Sequence, residues 1–272
     1  MPKHFPRMVA AELLKVLTRV SGWAGLGLSL LIPILVGLAL WWMQPDAPDP
    51  AANVDMQAAM MQSMIPDQAY TVLDYTLTGR NLLILPMILL LVTAQLFAGE
   101  WSGRTLRSLL LRPVSRGSVL MAKFSALWIY SGACLLLSYL VALGLGWGLL
   151  GHDEAIRGVS MGYLLCWVSD AALIGLGMLV STFAPSVAGV VVGTILTLIG
   201  ERMINLGLKA AGAIWGVEWA EPVAKWMPSS AFDAWAGYEE AAWPMEPIYG
   251  LAVLLVVVTA GAIWRFSRLD VP

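Results

Sequence analysis

Charge is what this sequence lacks most. Asp, Glu, Lys and Arg make up only 12% of its 272 residues, about half the roughly 25% of soluble globular domains. So little charge cannot cover a water-exposed surface, which excludes an ordinary soluble fold. Histidine is nearly missing, and His4 and His152 lie in separate segments, which leaves no His-based catalytic or metal cluster. The two cysteines, Cys134 and Cys166, sit in apolar runs and form no CxxC pair. They read as packing thiols, not as a disulfide or a metal site. Neither a G-x-x-x-x-G-K-[ST] phosphate loop nor a serine-nucleophile elbow occurs, so any ATP hydrolysis has to come from another chain.

What is abundant is apolar sequence: 59% of residues are hydrophobic and the mean hydropathy is +0.76. Six runs approach or exceed the roughly 20 residues a membrane helix needs, at about 22–42, 81–98, 120–149, 158–183, 187–207 and 247–265. The first is longer than a signal-peptide core and follows a long basic segment rather than a short n-region. Pro33 and Pro86 fall inside runs, which membrane helices tolerate. The expected fold is all-α and integral to the membrane, one domain over residues 1–272 with six spans.

The remaining charges are sorted by side. An even span count puts both termini together with the 99–119 loop. That side carries Lys3, Arg7, Lys15, Arg19, Arg104, Arg107, Arg112, Arg116, Lys123, Arg265 and Arg268 against Glu12, Glu100 and Asp270. The other side holds segments 43–80 and 208–246 and is acidic. Lys/Arg bias sets orientation, so the basic side is the cytoplasm. Within 1–21, Val9, Leu13, Val16, Leu17 and Val20 share one helical face while Glu12, Lys15 and Arg19 share another. That pattern predicts an amphipathic helix lying on the cytoplasmic leaflet.

Between spans two and three, "SGRTLRSLLLRP" predicts a short helix: Ser102 or Thr105 caps it and Pro113 ends it. Leu106, Leu109 and Leu110 form its apolar side, with Arg104 and Arg107 off that stripe. Glu100 precedes it and is positioned to pair with Arg104 or Arg107. The order Glu100, Gly103, Thr105-Leu106-Arg107, Leu109-Leu110, Arg112-Pro113-Val114-Ser115-Arg116 and Lys123-Phe124 resembles the E-x-x-G-T-L-R-x-L-L-x-R-P-V-S-R…K-F loop of the ABC-2 type permeases, the membrane subunits of ABC transporters. Arg104 lengthens the glycine-to-threonine spacing by one residue. "LVSTFAPSVAG" (179–189) resembles the family's turn between spans four and five, and "FSRLDV" resembles its tail.

This resemblance implies a coupling helix over 99–119 that docks on an ATPase, through Glu100, Gly103, Arg104, Thr105, Leu106, Arg107, Leu109, Leu110, Arg112, Pro113 and Arg116. It also implies a permease pair with two ATPase subunits binding ATP and Mg, in a bacterial inner membrane. Gly189 and Gly193, a small-xxx-small pair in span five, are then expected at the permease–permease interface. An accessory periplasmic or membrane protein is a further expected partner, and nucleic acid is not.

Three charges sit within spans: Asp170 in span four and Glu201-Arg202 in span five. Intramembrane charges point to function. The bland alternatives are an Asp170 satisfied by Ser169 or an indole, and a Glu201-Arg202 that ends span five early. Met56, Met60, Met61 and Met64 form a stripe in the outer segment. Thioethers are soft Cu(I) ligands, and some ABC-2 permeases serve copper-enzyme maturation; a Met-faced packing helix is the plainer reading. A secondary carrier or channel without an ATPase is the other alternative, and it calls for broken helices and several midplane charges. A membrane enzyme acting on lipids would need convergent polar or metal residues at one face.

Overall fold

Every described element is helical. The computed structural model describes residues 4–43, 70–81, 84–102, 115–150, 156–184, 186–233, 235 and 245–268. Helix α1 (Phe5–Leu17) turns directly into α2 (Val20–Met43). Helices α3 (Tyr70–Asn81) and α4 (Ile84–Ser102) come next, then α5 (Arg116–Leu150), α6 (Ile156–Ser181) and α7 (Val187–Trp215). Two short helices, α8 (Ala220–Lys225) and α9 (Pro228–Phe232), precede α10 (Met245–Ser267). Five of these (α2, α5, α6, α7 and α10) are long and apolar enough to cross a membrane, and α3 with α4, bent by 47°, makes a sixth when the pair is counted as one span. The chain is a multi-pass membrane protein.

The second span departs from the expected single run over 81–98. It starts at Tyr70, inside what reads as the outer segment 43–80, and breaks after Asn81. The stretch "YTVLDYTLTGR" carries Asp74 and Arg80 and is too polar for an apolarity criterion, yet Val72, Leu73 and Leu77 are fully buried and Arg80 is 2% exposed. Pro86 accounts for the break. It lies in the first turn of α4, where a missing N–H is harmless, whereas in a continuous helix its ring would strike the carbonyl four residues back. Span five also runs on to Trp215, so Glu201 and Arg202 lie near the middle of a 29-residue helix and not at its end.

Two apolar clusters hold the bundle. One joins α1, α4, α5, α6 and α10 through Val16, Leu96, Leu127, Ile174 and Phe266. The other joins α2, α3, α5 and α6 through Leu40, Leu73, Leu77, Leu135 and Tyr163. Spans three and four are stapled face to face. Trp128 and Trp167 stack at 4.7 Å, and each indole N–H donates to the other's backbone carbonyl, at 3.1 and 3.0 Å. Only a glycine fits beside this pair, because a Cβ on Gly132 would stand 2.7 Å from Trp167 Nε1.

Helix α1 does not bury the predicted apolar stripe alone. Its buried residues are Glu12 and Val16, while Val9, Leu13 and Leu17 of the stripe are only partly buried. Apolar periodicity put Glu12 on the water face; the structure turns it inward because cationic partners wait there.

Candidate functional site

Those partners close a ring of four charges. Lys15 Nζ donates to Glu12 Oε1 at 2.7 Å and to Glu100 Oε1 at 2.8 Å. Lys123 Nζ donates to Glu12 Oε2 at 2.9 Å and to Glu100 Oε2 at 2.7 Å. Its third proton goes to the Leu96 carbonyl at 3.2 Å. An ammonium has three donors, so Lys123, 1% exposed, is fully satisfied. Each carboxylate bridges both lysines with separate oxygens. Burial alone pushes the Lys15 ammonium's pKa down, but the Glu100 and Glu12 carboxylates outweigh it and hold the value above the ordinary 10.5.

The ring's members come from three places: Glu12 and Lys15 from α1, Glu100 from the end of α4, Lys123 from the second turn of α5. The last two flank segment 103–114. Its roots are therefore tied to each other and to α1. Among described residues the partners of Glu100 include Lys15 and Lys123, the cations it was not expected to use; Arg104 and Arg107 lie outside the described residues. Arg116 donates to the Ser267 carbonyl at 3.4 Å, at the end of α10.

A second charged centre lies where the two apolar clusters meet. Arg80 Nη2 is 2.5 Å from Asp170 Oδ2, and the two side chains are 3% and 5% exposed. Ser131 donates to the same carboxylate oxygen. Arg80 Nη1 reaches Asn81 Oδ1 at 2.8 Å and Cys166 Sγ at 2.6 Å. The expected satisfier Ser169 instead donates to the Leu165 carbonyl within its own helix. Asp170 is thus held by an arginine from the break in span two. Arg80 was passed over in the sequence because it sits one residue before the predicted run; the available signal was a base among the acidic residues of segment 43–80.

Beside this centre is a cavity of about 550 Å³ bounded by spans two, four and five and by α9. Asp170, Glu201 and Arg202, singled out separately in the sequence, all line it. Glu201 Oε1 accepts from Ser229 at 3.0 Å and Arg202 pairs with Asp233 at 2.8 Å. Burial pushes the Asp233 carboxyl above its ordinary value despite the attraction of Arg202. The short helices α8 and α9 fold back along α7, and Asn205 of α7 donates to Ser229 and Ser230.

The other predicted positions divide simply. Gly103, Arg104, Thr105, Leu106, Arg107, Leu109, Leu110, Arg112 and Pro113 lie outside the described residues, as do Met56, Met60, Met61 and Met64. Gly189 and Gly193 face their own chain: a Cβ on Gly193 would be 3.0 Å from Val180 Cγ1, and one on Gly189 2.8 Å from Ser186 Oγ. No group of three or more His, Cys, Asp or Glu able to hold a metal ion occurs among the described residues.

A profile of the ABC-2 family transporter proteins matches residues 8–201. The match runs from α1 to the middle of α7 and takes in the charge ring, the second-span break and Asp170. The chain belongs to the ABC-2 transporter family. No curated protein matches it. As an ABC-2 permease it is a membrane subunit of a transporter, which sets the function class.

Proposed function

We propose that this ABC-2 permease converts ATP hydrolysis by a separate ATPase subunit into export of a substrate, or into a transmitted motion, across the membrane. The observation that supports this reading is the charge ring at the roots of segment 103–114. A force applied to that segment is passed at once to span two, span three and α1, since ion pairs that satisfy every donor of the buried Lys123 give a stiff joint. Leu106, Leu109 and Leu110 supply the apolar knob for the ATPase, and Arg104, Arg107 and Arg112 its rim. Buried apolar anchors and charged rims are how compact docking helices divide affinity from orientation. Basic residues at the ends of the spans near α1 and α10 put both termini in the cytoplasm. ATP and Mg belong to the partner, and two permeases with two ATPases complete the assembly. The exposed face of α7, with Val192, Leu196, Ile199 and Met203 all more than half exposed, is the surface span five offers to a second permease.

The test uses the reconstituted complex. Leu109→Ala should lower co-purification of the ATPase or uncouple its rate, about 2 kcal/mol for a buried anchor, with the permease still folded. Arg107→Glu should bind worse as salt is reduced, because the repulsion it introduces is then unscreened. Wild-type binding and ATPase rates in both variants would overturn the coupling role of the loop.

A further inference from the structure

We propose that the cavity between spans two, four and five binds an amphipathic organic cation: an apolar body with a single protonated amine. The inference deepens the transport reading by naming a class of cargo, and rests on that reading only for what happens after binding.

Volume comes first. About 550 Å³ falls within the roughly 300–1,000 Å³ of small-molecule sites. The walls are mainly apolar, with Met87 and Leu90 from span two, Leu173 from span four, Leu198 from span five, and Phe232 and Trp235 from the outer segment. An apolar molecule fits such walls, and the two aromatic rings offer electron-rich faces to a cation.

Charge accounting then sets the head group. Three carboxylates line the cavity: Asp170, Glu201 and Asp233. Asp170 is matched by Arg80, and Asp233 by Arg202. Among the described residues Glu201 has no basic partner; its Oε1 takes a neutral hydroxyl from Ser229, and its Oε2 is buried with no hydrogen bond. Glu201 is therefore the one carboxylate of the cavity without an ion-pair partner among the described residues. It lies 14 residues from each end of α7, about 21 Å along the axis, inside an apolar helix where an unpaired charge is costly. A bound ammonium restores neutrality and supplies the missing donor. An anion meets Glu201 unfavourably, and a neutral hydrocarbon leaves it as it is.

A second orphan fixes orientation. Asn81, the last residue before the break in span two, also lines the cavity, and its Nδ2 is buried without an acceptor although its Oδ1 is engaged by Arg80. Backbone that leaves helical form at membrane depth is tolerated where it borders a cavity, and transporter sites gather at such breaks. The ligand then carries an acceptor, a carbonyl, sulfonyl or ether oxygen, on the side of its body facing span two.

Dansylcadaverine provides the probe: one primary ammonium, a flexible alkyl chain and an aromatic sulfonamide. Its N-acetyl derivative removes the charge and adds only a small neutral amide. Saturable binding to the purified permease in nanodiscs, corrected against empty nanodiscs, should be at least about tenfold tighter for the amine than for the acetylated form. Glu201→Gln should abolish that difference while leaving the acetylated form unchanged. Met87→Trp, which fills the cavity from span two, should remove saturable binding of both, and keeps the proposal testable if Glu201→Gln fails to fold. Leu140→Ala, on the exposed face of α5, should change neither. Equal affinities for the two probes, or an amine preference that survives Glu201→Gln, would overturn the proposal. Because binding is measured without ATPase, loss of coupling in Leu109→Ala leaves this result untouched, and failure of either reading shows by itself.

Discussion

Asp170→Asn removes one charge and almost no volume from the centre of the bundle. Arg80 keeps its neutral acceptors, Asn81 Oδ1 at 2.8 Å and Cys166 Sγ at 2.6 Å, but loses its carboxylate partner at 2.5 Å. With the arginine side chain 3% exposed, water cannot replace that anion without opening the fold. Breaking a buried pair from one side costs about 3–5 kcal/mol, mostly because the surviving charge is left uncompensated. At about 1.4 kcal/mol per decade, that is a drop of two to three and a half orders of magnitude in the folding equilibrium. Adding Arg80→Met removes the orphan charge, so the double variant should be more stable than Asp170→Asn alone. The assay is equilibrium unfolding in one lipid–detergent mixture for wild type, both single variants and the double. Single losses under about 0.5 kcal/mol, the range of ordinary surface changes, or losses that simply add, would refute the claim that this pair is a buried, coupled unit.

Two further predictions concern joints. Lys123→Met leaves Glu12 and Glu100 facing each other with only the half-exposed Lys15 between them, so α1 should detach and become protease-sensitive while the spans stay inserted. The Lys15 contribution has its own signature: its folded pKa is raised, so it is fully present below 10.5 and fades only as pH climbs through the raised value. Gly132→Ala should cost about 1–3 kcal/mol, since its Cβ would meet Trp167 Nε1 at 2.7 Å. Gly27→Ala, with nothing within 4 Å, should be neutral or stabilising by up to about 1 kcal/mol; the same unfolding assay reads both.

The apolar runs made the membrane class and five of the spans legible, because burial in lipid demands long uninterrupted hydrophobicity. They failed at α3 for a physical reason. Its charged end is paired inside the protein, Arg80 with Asp170, and a window that counts apolarity cannot see a partner 90 residues away. Glu12 was misplaced for the same cause: its cations stand on α1 itself and on α5, and only Lys15 is near in sequence. Glu100 was recognised as important from the loop motif, yet its partners were sought among nearby arginines. Asp170, Glu201 and Arg202 were each noticed, but that they share one cavity depends on how α6 and α7 pack, which no single-helix pattern contains.

The central claim is that this permease works with an ATPase held through segment 103–114. Native mass spectrometry of the complex extracted in mild detergent tests it most directly. Two permease chains with two ATP-hydrolysing subunits are predicted, with the ATPases lost from Leu106→Ala/Leu109→Ala while the permease pair survives. A wild-type permease that fully retains transport while carrying no ATPase, or a double variant that keeps both ATPase subunits and their coupled rate, would contradict it.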